Sequence, residues 1–207
     1  MHNLDFYFDC SSPWTYLAFE AIQPLAARQD VTVHWKPILV GGVFNAINPS
    51  VYENRANPVP AKARYYRKDL QDWARYVGVE IGEPPVFPVN SVKVMRGAFV
   101  ALEQGVLIPY ARRAFQRYWG ELADISRDDE VRGIAQAAGL DVDHFMARIG
   151  EQACKDRLRE STDELIRRGG FGSPTMFLDG DDMYFGNDRL PLLEARLEAR
   201  LETQLGA

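Results

Sequence analysis

The chain has 207 residues, 46% of them hydrophobic and 26% charged, with a formal net charge of −5. That is enough for one or two domains with a self-sufficient core, and the acidic balance argues against a nucleic-acid binder that works by neutralising phosphates. No apolar run approaches the ~20 residues of a bilayer span, residues 1–5 lack the basic and apolar regions of a signal peptide, and Cys10 and Cys154 alone make no disulfide framework, so a reducing cytoplasm is expected. Residues 4–8, rich in aromatics, predict a buried strand, and residues 9–12 break it. Trp14, Leu17, Ala18, Ala21, Ile22 and Leu25 recur at helical steps and predict a helix over 13–28, its last turn kinked at Pro24. Residues 31–35 alternate as a second strand, which completes a βαβ unit with parallel strands. Residues 40–60, with Gly41-Gly42, Asn48-Pro49 and Asn57-Pro58-Val59-Pro60, read as a loop. Helical spacing then covers 61–77, 91–104, 107–118, 127–138, 142–149 and 151–168. Two further strands, 175–178 and 183–185, are joined by a tight turn over 179–182. A last helix over 190–205 sets Leu190, Leu193, Leu197 and Leu201 on one face, to pack on the sheet.

The most informative stretch is Phe6-Tyr7-Phe8-Asp9-Cys10-Ser11-Ser12-Pro13-Trp14-Thr15-Tyr16-Leu17-Ala18. Ser12 is placed as N-cap and Pro13 as the first helical residue. The free N–H groups of that helix end, together with the helix dipole, favour an anion. Simple capping explains the same residues, and both readings stand on local evidence. His2, His34 and His144 are scattered and read as structural, and no metal centre is expected.

This stretch resembles the opening of the 2-hydroxychromene-2-carboxylate isomerases and of the related kappa-class glutathione transferases, which are DsbA-like proteins. The likeness runs nearly end to end. Pro60-Ala61-Lys62 with Tyr65, Asp69-Leu70 and Trp73-Ala74 is similar to the family's lysine-bearing helix. Phe87-Pro88-Val89-Asn90-Ser91 resembles its Phe-Pro-x-Asn turn, Gly172-Ser173-Pro174-Thr175 its Gly-x-Pro-Thr loop, and Gly186-Asn187-Asp188-Arg189 its late signature. The resemblance implies an α/β architecture: a thioredoxin-like βαβ…ββα domain, residues 1–57 and 169–207, with a large inserted all-helical domain, residues 58–168. It also implies a cis bond at Pro174 and a homodimer.

Thioredoxin-like redox enzymes carry Cys-x-x-Cys at this corner, where Ser12-Pro13-Trp14-Thr15 stands here. Disulfide exchange needs an attacking thiolate, so this corner cannot perform it. What the resemblance implies is a borrowed thiol. Ser12 is the catalytic residue, its hydroxyl donating to the sulfur of bound glutathione. Lys62, Ser173, Pro174, Gly186, Asn187 and Asp188 hold the rest of that cofactor. Asn54, Arg55, Asn90, Phe44 and Phe185 face a small aromatic carboxylate substrate. The family's basic residue in the loop after the second strand is missing here, where Phe44 lies. Trp14, Tyr16, Trp73, Tyr65 and Tyr66 either line a pocket or pack in the core, the second being expected of most. Cys10 reads either as a small buried hydrophobe or as a second thiol near the site; Cys154 gets no role.

The expected function is glutathione-dependent isomerisation of 2-hydroxychromene-2-carboxylate or a relative. A kappa-like transferase or peroxidase, a non-catalytic binding domain, and a disulfide oxidoreductase that uses Cys10 remain alternatives.

Overall fold

The computed structural model describes the backbone of residues 2–205 and the side chains of residues 2–199. In chain order the elements are β1 (His2–Phe8), α1 (Pro13–Arg28), β2 (Val31–Pro37), α2 (Val40–Ile47), α3 (Ser50–Ala56), α4 (Pro60–Val77), α5 (Val92–Glu103), α6 (Leu107–Phe115), α7 (Asp128–Ala137), α8 (Val142–Gly150), α9 (Gln152–Arg167), β3 (Thr175–Leu178), β4 (Asp182–Phe185) and α10 (Leu190–Leu205). A π-helical turn, Gln116–Gly120, follows α6, and a 3₁₀ turn, Asn187–Arg189, leads into α10. The four strands form one sheet in the order β2-β1-β3-β4. β1 and β2 are parallel, as a βαβ unit requires, while β3 runs antiparallel to β1 and β4 to β3.

Strand alternation decides which residue meets which layer. Leu4, Phe6 and Phe8 of β1, with Met176 and Leu178 of β3, enter the main core with α1, α10 and the helices of the insertion. Tyr7 and Phe177 point the other way, into a smaller core with Val43 of α2 and Leu165 of α9. Both faces of the sheet are therefore covered. Leu190, Leu193 and Leu197 are buried as the leucine stripe requires; the side chain of Leu201 lies outside the described residues. Within the insertion, α5 packs against α6 and α8 at a glycine: a Cβ on Gly97 would collide with Tyr110 and Phe145.

Residues 40–60 are not a loop. They form α2 and α3, and the reason is tertiary. The Val40 N–H donates to the Asp9 carboxylate at 2.8 Å and the Leu39 N–H to Thr162 Oγ1 at 3.0 Å. Val40 and Val43, three residues apart, are buried, which offsets the cost of two glycines in the first turn. α3 has no buried residue and simply continues the turn from Asn48-Pro49.

Candidate active site

β1, an inner strand, ends at Phe8, and α1 starts five residues later. Ser12 is the N-cap, with extended backbone (φ −105°, ψ 123°), and its Oγ accepts from the Thr15 N–H at 3.3 Å. The same hydroxyl donates to the carbonyl of Ser173 at 3.1 Å. The Ser173–Pro174 peptide is cis, as the resemblance implied. The Ser173 Oγ in turn accepts from the Asp9 N–H at 3.1 Å and shares a 2.8 Å hydrogen bond with Thr15 Oγ1. Ser12 and Thr15, which stand where a redox enzyme has its two thiols, are thus both tied to the cis-proline loop.

Asp9 escaped the sequence reading. It is fully buried, and its carboxylate accepts from the Ser11 N–H (2.9 Å), the Val40 N–H (2.8 Å) and the Ser91 hydroxyl (3.1 Å). One side chain therefore joins the Ser12 corner to the starts of α2 and α5. Burial raises its pKa above the ordinary carboxylate value, and the three donors only partly oppose that. The one signal in the sequence was an acid placed directly after an apolar strand. Cys10 is the small buried hydrophobe: it is 0% exposed, its N–H points to the Met95 sulfur, and burial pushes its thiol well above the ordinary value. The oxidoreductase alternative loses its thiol.

Around this corner the structure gathers aromatic rings. A Cβ on Gly172 would lie 2.8 Å from the Phe185 ring, too close for a side chain, and 3.8 Å from Phe44, an ordinary contact, so it is Phe185 that calls for glycine before Ser173. Phe171 packs on Phe185 at 4.4 Å between centroids. The Arg55 guanidinium stands over Phe44 (5.5 Å) and over Phe87 (5.2 Å), bridging α3 to the turn before α5. Phe87, whose bond to Pro88 is also cis, lies 6.1 Å from Trp119, and Trp119 Nε1 donates to the Cys10 carbonyl at 3.0 Å. The ring of contacts closes where it began, beside Ser12. Phe44, Phe185 and Arg55 are thus brought together; Phe87, Phe171, Trp119 and Gly172 join them without having been singled out. Arg55 has no carboxylate partner among the described residues.

The remaining expected residues lie on the rim or have other duties. Asn54 is exposed beside Arg55. The Asn90 side-chain oxygen accepts from the Val92 N–H at 3.1 Å and so helps start α5. Lys62 is exposed on α4, one turn before Tyr66, which meets Trp14 of α1 edge-on at 5.5 Å. Tyr65 and Tyr66 are 63% and 61% exposed, so these two are not core; Tyr16 is, stacked on Phe115 at 4.9 Å. Gly186 has φ +101° and its N–H donates to the Pro174 carbonyl, which sets the late signature beside the cis-proline loop. Asn187 is 6% exposed and its amide nitrogen has no hydrogen-bond partner among the described residues. Asp188 is on the surface, ion-paired with Arg189. A groove of about 320 Å³ runs along α1 between α4 and α10 and has Asn187, but not Ser12, in its wall.

A DSBA-like thioredoxin domain matches residues 3–198. The chain is 33% identical over 196 residues to a 2-hydroxychromene-2-carboxylate isomerase of Pseudomonas putida, covering 94% of this chain and 93% of the relative. The chain belongs to the 2-hydroxychromene-2-carboxylate isomerase family. It is accordingly an enzyme of the isomerase class, with the thioredoxin-like DsbA fold and its helical insertion. A solved structure of a 2-hydroxychromene-2-carboxylate isomerase superposes with a TM-score of 0.83 at 31% identity, covering 99% of this chain and 98% of that one. A rat glutathione S-transferase kappa 1 is 26% identical over 208 residues, covering 92% of this chain and 88% of the relative. Within the isomerase family's fold, this corner presents a hydroxyl at a helix N-terminus where the redox members of the fold need a thiol. It can stabilise an anion but cannot exchange disulfides.

Proposed function

We propose that the protein is a glutathione-dependent isomerase of 2-hydroxychromene-2-carboxylate or a closely related aromatic ring-cleavage product, and that Ser12 serves the glutathione thiol without itself reacting. The observation that carries this is the setting of Ser12 Oγ. Among the described residues it is bonded only to backbone groups, the Thr15 N–H and the Ser173 carbonyl. A serine with no general base attached is a poor nucleophile. The same hydroxyl, at the positive end of the α1 dipole, becomes a donor to anionic sulfur when its proton turns from the Ser173 carbonyl to the ligand, and both influences favour a thiolate. The kinship to transferases named for glutathione supports the cofactor, and so does the orphaned, buried amide nitrogen of Asn187.

Glutathione, when bound, would supply a thiolate nucleophile able to add to a conjugated carbon and to leave again once the intervening single bond has turned. The chain's residues do the rest. Ser12 orients the sulfur. Ser173 and Pro174 offer the edge along which the peptide lies, Gly186, Asn187 and Asp188 receive its γ-glutamyl end, and Lys62 meets a carboxylate. Arg55 and Asn54 take the substrate's carboxylate, a duty that falls to Arg55 because the loop after β2 supplies no cation. Phe44, Phe185 and Asn90 bound its ring. Glutathione kept reduced fits a cytoplasmic enzyme, and we assign it to that compartment as a homodimer.

The test is conversion of 2-hydroxychromene-2-carboxylate, followed spectrophotometrically with and without glutathione, in wild type and Ser12→Ala. Turnover that depends on both supports the reading. Turnover indifferent to both removes the mechanism. Conjugation of a generic electrophile without isomerisation makes it a kappa-like transferase instead.

A further inference from the structure

The side of α2 turned away from Phe44 borders a second depression, of about 270 Å³, between α2, the start of α5 and the length of α9. Leu39, Leu158 and Ile166 give it apolar walls. Its charged residues are Arg96, Lys155 and Arg159, against one carboxylate, Asp163. Arg159 is engaged by Asp156 at 2.8 Å. Arg96 and Lys155 have no carboxylate partner among the described residues, whereas their neighbours Arg148 and Arg157 both pair with Glu103. The Nε of Arg96 is shut off from solvent and donates to nothing among the described residues. The Arg96 side chain as a whole is half-buried and lines the depression, so its guanidinium can meet an anion there.

We propose that this depression binds a small monocarboxylate with an apolar body. The carboxylate lies between Arg96 and Lys155, and the hydrocarbon part lies on Leu39, Leu158 and Ile166. The walls call for the apolar part, because they offer little to a compact, fully hydrated anion such as phosphate. Asp163 disfavours a second negative charge at the same place. The site shares no residue with the Ser12 mouth. α2 is the partition: Phe44 looks into the mouth, while Gly42, where an added Cβ would stand 3.4 Å from Thr162, and Ala46 look into the depression.

Calorimetric titration of benzoate into full-length Arg55→Gln, whose Ser12 mouth has lost the cation proposed to hold a carboxylate, tests this. Saturable one-to-one binding is expected there, weakened roughly tenfold or more when Arg96→Gln is added. Ala46→Phe, at an exposed position of α2, is placed to fill the space and is expected to abolish binding on the same background. The proposal is overturned if benzoate does not saturate in Arg55→Gln, or if neither Arg96→Gln nor Ala46→Phe weakens it there. Inorganic phosphate binding as tightly as benzoate overturns it too, since that describes a bare cationic patch.

Discussion

Replacing Asp9 by asparagine keeps the shape of the side chain and removes its charge. Three donors converge on the two carboxylate oxygens, from Ser11, Val40 and Ser91. An asparagine can turn its oxygen toward Val40 and Ser91, which share one carboxylate oxygen, but its NH₂ then faces the Ser11 N–H. One donor loses its acceptor, and two donors meet in a buried place. The expected loss of stability is about 1–3 kcal/mol. The pH dependence carries the sharper information. Desolvation raises the native pKa of Asp9 above its ordinary value. In the window between the ordinary value, about 4, and the raised one, the native state holds a proton that the unfolded chain has already lost. Stability from this group is therefore full below the window and is lost as pH rises through it. Denaturant unfolding of wild type and Asp9→Asn at a series of pH values isolates the effect. The difference between them should shrink as pH rises from about 4 and then level off. A difference that grows over that range would mean that the three hydrogen bonds outweigh burial, and it would refute the reasoning.

Ser12→Ala removes the cap on Thr15 and the bond to Ser173, so about 0.5–2 kcal/mol of stability should go with it. If the hydroxyl holds a developing anion, kcat/KM should fall by about 10²–10³, and a variant that keeps wild-type turnover at wild-type KM sinks that role. Cys10 should resist a colorimetric thiol reagent in the native protein and react fully in denaturant, since it is 0% exposed with a raised thiol pKa. Ser12→Cys should add a native thiol that reacts at neutral pH, because a helix N-terminus lowers a thiol pKa; titration of that thiol at an unshifted value would count against the field assigned to α1. Arg55→Gln should raise KM for the carboxylate substrate about tenfold with little change in kcat, and an unchanged KM would release Arg55 from that duty.

Much of the corner was legible because its signals are local. An aromatic strand, a serine before a proline and a helical apolar stripe follow each other within 28 residues, and each became the element expected. The cis bond at Pro174 and the company of Gly186 came from matching motifs, since no composition or period announces them. What stayed hidden depends on distant partners. The acceptor that starts α2 is Asp9, and the hydroxyl behind Leu39 belongs to Thr162 on α9. Without them Gly41-Gly42 reads as a loop. Asp9 itself is unremarkable until Ser91 and Val40 arrive around it. The ring of Phe44, Phe87, Phe171 and Phe185 draws on four separate segments, and aromatic residues in sequence do not say whether they will be core or wall. Of the five aromatics left between pocket and core, Tyr65 and Tyr66 are exposed while Tyr16 is buried, a division that their spacing does not announce.

The guanidinium of Arg55 touches two rings that belong to different segments, and among the described residues it has no carboxylate partner. Contacts of this kind at an exposed position contribute about 0.5–1 kcal/mol each. Their sum leaves roughly 3–15% of molecules with the clasp undone at any instant. Such a clasp opens under thermal motion alone, so on the proposed reading of this mouth the passage of a substrate acid need not wait on any trigger.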